Sequence, residues 1–277
     1  MSRLATTFAA LKQAGRSALV PYITAGDPTP EATVPLMHAL VKAGADVLEL
    51  GMPFSDPTAD GPVIQQACER ALAAGTTLQT VLTAVSEFRA DNAETPIVLM
   101  GYLNPMQAFG VERFVEAAAE AGVDGVLTVD MPPEEASPLA ELLKARQLDP
   151  IFLLAPTTTG QRIRRVCEAA SGFVYYVSLK GVTGSASLDV DSVRERLAGI
   201  RAHTSLPVGV GFGVRDADTA ARLAPLADAV IVGSAIVSRI AAQRDDRERM
   251  LSEVTAFVSS LRKSMDRVPT AKRPHKV

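Results

Sequence analysis

The sequence has no tryptophan, two cysteines and three histidines among its 277 residues, and aromatic side chains make up only 5% of it. Each scarcity removes a class of function. Cys68 and Cys167 show no CxxC spacing and fall in predicted helices, so a reduced, buried pair is expected rather than a disulfide or zinc site. His38, His203 and His275 are spread over a helix, a loop and the C-terminal segment, giving neither a zinc constellation nor a serine–histidine pairing. Basic charge is not in excess. A net charge of −3 and a pI near 5.7 leave no basic stripe for nucleic acid or a membrane surface, and no apolar run is long enough to span a bilayer. Acidic residues are absent before Asp27, as in some targeting leaders. Leu4, Phe8 and Leu11 nevertheless share one helical face, so a short helix plugging the bottom of the fold is expected, in a protein of the cytoplasm.

With 47% hydrophobic and 21% charged residues, the chain can build a substantial core. Short apolar runs alternate with amphipathic stretches from end to end. Strands are expected over 18–23, 46–50, 97–100, 125–129, 151–154, 173–177, 207–210 and 229–232. Helical stretches between them include 30–43, 111–121, 134–145 and 216–223. Continuous apolar strands separated by helices indicate a parallel sheet covered on its outer face. A local repeat agrees with this. Ala43-Gly44-Ala45-Asp46 leads into VLEL, Ala121-Gly122-Val123-Asp124 into GVLTV, and Ala227-Asp228 into AVIV. In the first two, glycine is expected to end the helix in a left-handed turn before an aspartate opens the strand. Eight such units close a barrel, and YITAGDP (residues 22–28) lacks the GxGxxG of a doubly wound nucleotide fold. The expected architecture is α/β, a single (β/α)8 barrel over residues 1–262 with a frayed basic tail from Lys263 to Val277.

In that fold the active site lies at the carboxyl ends of the strands, often with a phosphate after the seventh and eighth. Strand seven is followed by Gly211-Phe212-Gly213 with Asp216 placed to cap a helix, and strand eight by Gly233-Ser234. Such turns let backbone amides approach an anion. Residues 178–188 (SLKGVTGSASL) form a long loop, a candidate lid or an ordinary solvated connection. Glu49 lies within an apolar strand. If Leu48 and Leu50 pack against helices, alternation turns Glu49 into the barrel mouth, where lost hydration raises a carboxyl pKa; a buried ion pair is the alternative. Asp56 and Asp60 follow in GMPFSDPTADGP, either as turn formers or, with Glu49, as an acid cluster at a strand's carboxyl end.

The segments LELGMPFSDPTADGP (48–62), VSLKGVTG (177–184), GVGFGV (209–214) and VGSAIV (232–237) resemble the tryptophan synthase alpha subunit family, in its order and spacing, over residues 4–261. The resemblance implies retro-aldol cleavage of indole-3-glycerol phosphate to indole and glyceraldehyde 3-phosphate, with no cofactor in this chain. It implies Glu49 as general acid/base and Asp60 as the charge facing the indole nitrogen. Gly184, Gly211, Phe212, Gly213, Gly233 and Ser234 would hold the phosphate. Tyr175 would hydrogen-bond near Glu49, and Thr183 would meet Asp60 when the lid closes. Tyr22, Ile64, Met100, Leu127 and Leu153 would line the indole slot, though any of them could be core. A pyridoxal-phosphate beta subunit is the implied partner, in an alpha2-beta2 heterotetramer. Docking is expected at the carboxyl end of the barrel, through residues 53–60, 102–105 and 134–136, with Pro53, Phe54 and Pro57 as rigid apolar surface. Two departures stand out: Tyr22 where phenylalanine is common, and Leu179-Lys180 where Arg-Ala is often found. A Schiff-base aldolase using Lys180 and a purely regulatory binding subunit are the competing readings.

Overall fold

The computed structural model describes residues 2–177, 190–211 and 213–268. Eight strands are present: β1 (Ala18–Thr24), β2 (Leu48–Gly51), β3 (Ile97–Gly101), β4 (Gly125–Thr128), β5 (Asp149–Leu154), β6 (Val174–Val177), β7 (Val208–Gly211) and β8 (Ala229–Val232). Each pairs in parallel with the next, and β8 pairs with β1, giving the closed barrel the alternating pattern implied. Every strand lies within two residues of its expected bounds.

Side-chain alternation builds two cores. Leu19, Ile23, Leu48, Leu50, Ile97 and Leu99 point outward and pack under the helical ring. Val20, Val47, Val98, Leu127, Ile151, Phe173 and Ile231 point inward and fill the barrel. The helix Arg3–Gln13 closes this interior, burying Leu4, Phe8 and Leu11 among the inward residues. Phe8 meets Phe173 with ring centroids 5.6 Å apart. Burying side chains of this size stabilises by about 1.5–3 kcal/mol each, so the plug is part of the core.

The aspartate repeat has a physical explanation. Gly44 and Gly122 do end their helices at positive φ, at 104° and 90°. In all three repeats the aspartate turns its carboxylate to the start of the preceding strand. Asp46 accepts from the Leu19 amide at 2.8 Å, Asp124 from Ile97 at 2.8 Å and Asp228 from Val208 at 2.9 Å. Arginines complete these clamps: Arg262 on Asp46, Arg89 and Arg3 on Asp124, and Arg201 on Asp228. Because Asp46 acts as a clamp, β2 starts at Leu48 and not at 46.

Two helix boundaries differ from expectation. The stretch predicted to begin at 134 starts at Ser137, leaving Glu134 on the preceding turn, where it faces Arg162 and Arg165 at 3.6 Å. The last helix, Arg247–Asp266, runs past the predicted end near Leu261. Met265 continues the buried stripe of Val254, Val258 and Leu261, and Asp266 accepts from Arg16 and Arg262. Lys263–Asp266 therefore belong to the helix rather than the tail, and residues 269–277 lie outside the described residues.

Candidate functional site at the barrel mouth

Glu49 sits in the middle of β2, in register with Tyr22 of β1 and Val98 of β3. Its neighbours Leu48 and Leu50 face the helices, so Glu49 faces the barrel interior, as alternation predicts. It is 1% exposed, and its Oε1 has no hydrogen-bond partner among the described residues. An uncompensated buried carboxyl favours its neutral form. Burial first, and then the nearby charge of Asp60, push its pKa from 4.5 to about 8. At neutral pH it can both give and take a proton at modest cost, which suits a general acid/base.

Asp60 closes the loop that follows β2. Its backbone is fixed at both ends, with its amide donating to Pro57 O at 3.0 Å and its carbonyl accepting from Gln65 Nε2 at 2.9 Å. The helix Pro62–Ala73 begins directly after it, with proline in the first turn, where a missing N–H costs nothing. Tyr102, just past β3, donates its hydroxyl to Asp60 Oδ2 at 2.8 Å. Burial raises the Asp60 pKa, and this hydrogen bond opposes the rise. The sequence marks Tyr102 only as part of a docking turn, although its place at a strand's carboxyl end is a signal for a site residue.

Tyr22 and Tyr175 occupy equivalent niches. Each lies over a glycine of the next strand: a side chain at Gly51 would overlap the Tyr22 hydroxyl, and one at Gly211 would overlap that of Tyr175. The Tyr22 hydroxyl shares a hydrogen bond with Thr24 Oγ1 at 3.1 Å. Burial holds both phenols far above their ordinary pKa, with Cys68 next for Tyr22 and Glu49 next for Tyr175. Both therefore remain neutral. Besides its expected place near an anion, Gly211 makes room for Tyr175 through its missing side chain. Gly211→Val should then displace the ring and destabilise the fold by about 1–3 kcal/mol, as overpacking does. Denaturant unfolding checks this; unchanged stability would return the glycine's role to the anion alone.

Of the expected apolar slot, Tyr22, Ile64 and Met100 gather with Cys68, Ala67 and Val237 in one cluster. Leu127 and Leu153 belong to the adjoining barrel interior, with Tyr175. Gly213 takes a positive φ of 78°, and Gly233, next to Tyr22, opens the helix Ser234–Ala242, whose N-terminus has no side-chain cap. Asp216 caps its own short helix through the Thr219 amide at 2.8 Å, as predicted. Phe212, Thr183 and Gly184, together with the lid 178–188, Leu179 and Lys180, lie outside the described residues. Among the described residues, no group of three or more His, Cys, Asp or Glu is placed to hold a metal ion, and no helix is long and apolar enough to cross a membrane.

Comparison with known proteins agrees with this geometry. The family model for the tryptophan synthase alpha chain matches residues 8–266. The tryptophan synthase alpha chain of Thioalkalivibrio sulfidiphilus is 63% identical over 266 residues, covering 96% of this chain and 100% of the relative. That of Alkalilimnicola ehrlichii is 61% identical, covering 96% and 97%. The crystal structure of the Legionella pneumophila alpha chain superposes with a TM-score of 0.90 at 43% identity, covering 98% of this chain and 100% of that one. The pocket geometry and these matches lead to one assignment: the chain belongs to the tryptophan synthase alpha chain family.

Proposed function

We propose that the buried Glu49 and the loop carboxylate of Asp60 carry out the reaction of this family in this chain. The protein is a lyase that cleaves indole-3-glycerol phosphate into indole and glyceraldehyde 3-phosphate. The indole passes to a beta subunit, which holds the pyridoxal phosphate. The observation carrying the residue assignment is the unpartnered Glu49 oxygen, facing inward and poised near pKa 8 beside a second acid.

The chemistry follows from that pair. Neutral Glu49 delivers its proton to indole C3, and the positive charge that develops at the ring nitrogen is offset by ionised Asp60. Glu49, now a carboxylate, takes the proton of the glycerol hydroxyl next to the ring. The C–C bond breaks as the carbonyl forms, its electron pair restores the indole, and Glu49 ends protonated as it began. Tyr22, Ile64 and Met100 line the indole slot, with Leu127, Leu153 and Tyr175 beneath. Phosphate binding is assigned to Gly184, Gly211, Phe212, Gly213, Gly233 and Ser234, the last two at an uncapped helix start, with Thr183 on the lid.

The partner assembly is an alpha2-beta2 heterotetramer in the cytoplasm, docked over the carboxyl face of the barrel. The apolar surface expected on the 53–60 loop is narrower than the sequence suggested: Pro53 and Pro57 are buried, while Phe54 is half-buried and Ser55, Asp56, Thr58 and Ala59 are exposed. The prolines stiffen the loop from within. Purified chain given indole-3-glycerol phosphate should release indole, and faster with the beta subunit present; no release in either case overturns the residue assignment. Thr58→Arg should lose the acceleration by the beta subunit while its unassisted cleavage persists, and undiminished acceleration would place the interface elsewhere.

A further inference from the structure

Three parts of the loop after β2 converge on one side chain. Phe54 stacks on the Tyr102 ring with centroids 5.3 Å apart at 36°. The Ala59 amide donates to the Tyr102 hydroxyl at 3.1 Å, and that hydroxyl donates to Asp60 Oδ2 at 2.8 Å. Tyr102 itself is 4% exposed and follows directly on β3, so the barrel wall fixes its backbone. The phenol has a single proton. An oxygen that accepts from Ala59 is turned so that its O–H points to Asp60, and among the described residues this is the only hydrogen bond to that carboxylate.

We infer that Tyr102 is a positioning residue for the cleavage reaction, anchoring Asp60 in its ionised form through its hydroxyl and holding the docking loop through its ring. This rests on the assignment of Asp60 given above. Because a donor to a carboxylate favours the charged form, Tyr102 counteracts the burial that would otherwise neutralise the group meant to balance positive charge. Tyr102 keeps its proton throughout, since burial and the bond to Asp60 both raise its pKa. The other groups facing Asp60 are Glu49 from β2, Tyr22 from β1, Tyr175 from β6 and Cys68 from the helix Pro62–Ala73. None of these is a cation, and none of them hydrogen-bonds the Asp60 carboxylate, so among the described residues Tyr102 is its one donor.

The test is the pH dependence of kcat/KM for indole-3-glycerol phosphate in the full chain carrying Tyr102→Phe. This change removes the hydroxyl and keeps the ring on Phe54. Loss of a hydrogen bond to a charged group should raise the acid limb by about one pH unit and lower kcat about 10-fold, with KM moving little. A merely structural role would shift the melting temperature and leave the acid limb in place, and an unmoved limb overturns the inference. A fluorinated tyrosine incorporated at 102 is a stronger donor of the same shape, so it should move the limb the opposite way; no movement there also overturns it. Asp60→Asn separates the two levels. If that variant cleaves normally, the assignment of Asp60 fails; if it is inactive while both Tyr102 variants keep the wild-type limb, only the inference about Tyr102 fails.

Discussion

Glu49→Gln should reduce cleavage about 10²–10⁴-fold, the usual cost of losing a general acid/base, with substrate binding largely retained. The same change should make the protein more stable at alkaline pH. The folded-state pKa of Glu49, about 8, lies above its ordinary 4.5, so proton binding favours the folded state. That contribution is complete below pH 4.5 and is lost as the pH rises through 8, when a buried charge with an unpartnered oxygen must be carried. Glutamine never titrates. Its stability advantage should therefore open above pH 4.5 and level off above 8, at on the order of 5 kcal/mol. Urea unfolding at pH 5 and pH 9, beside a turnover assay, measures both effects. A variant that keeps near-normal turnover would remove Glu49 from the mechanism, and a pH-independent stability difference would contradict its buried titration.

Asp60→Asn should cost about 10²–10³-fold in kcat, because an amide cannot offset positive charge at the indole nitrogen. The loop should keep its shape, since the amide oxygen still accepts from Tyr102 and the backbone ties to Pro57 and Gln65 do not involve the carboxylate. A second signature follows from the electrostatics. The charge of Asp60 helps raise the Glu49 pKa, so removing it should move the Glu49 titration to lower pH. The residual rate as a function of pH reports this shift. Full activity, or a Glu49 titration that stays at its wild-type position, would show that the two acids do not act together.

Much of this was legible in the sequence because it depends on periodicity. Apolar runs spaced by helices give eight strands, and alternation within VLEL turns Glu49 inward without any knowledge of its neighbours. Contacts between distant residues were harder to see. The partnership of Gly211 with Tyr175 spans two strands, and the sequence shows only a turn glycine there. The half-buried state of Phe54, and the burial of Pro53 and Pro57, depend on how the loop folds over Tyr102, which periodicity does not encode. The aspartate repeat was visible as a pattern, but its purpose required seeing which amide each carboxylate reaches. Lys263, Ser264 and Arg267 have the composition of a tail, although the spacing of Leu261 and Met265 continues the buried stripe of the last helix.

The barrel's closing seam also bears on how the protein is made. β1 meets β8, and the polar groups at that junction come from both ends of the chain. Arg262 donates to Ser17 O and to Asp46, Arg16 reaches Asp266, and Ser17 Oγ reaches Ala227 O. A chain emerging from the ribosome can therefore lay down β1 through β7 and wrap helices around them, yet the first strand keeps an open edge until β8 has left the exit tunnel and paired with it. For most of its synthesis the protein is an unsealed curved sheet, exposing a strand edge that other nascent chains can pair with. Emergence of residues 229–232 ends that exposure, and the ties of Arg262 and Asp266, released last, then fasten the seam.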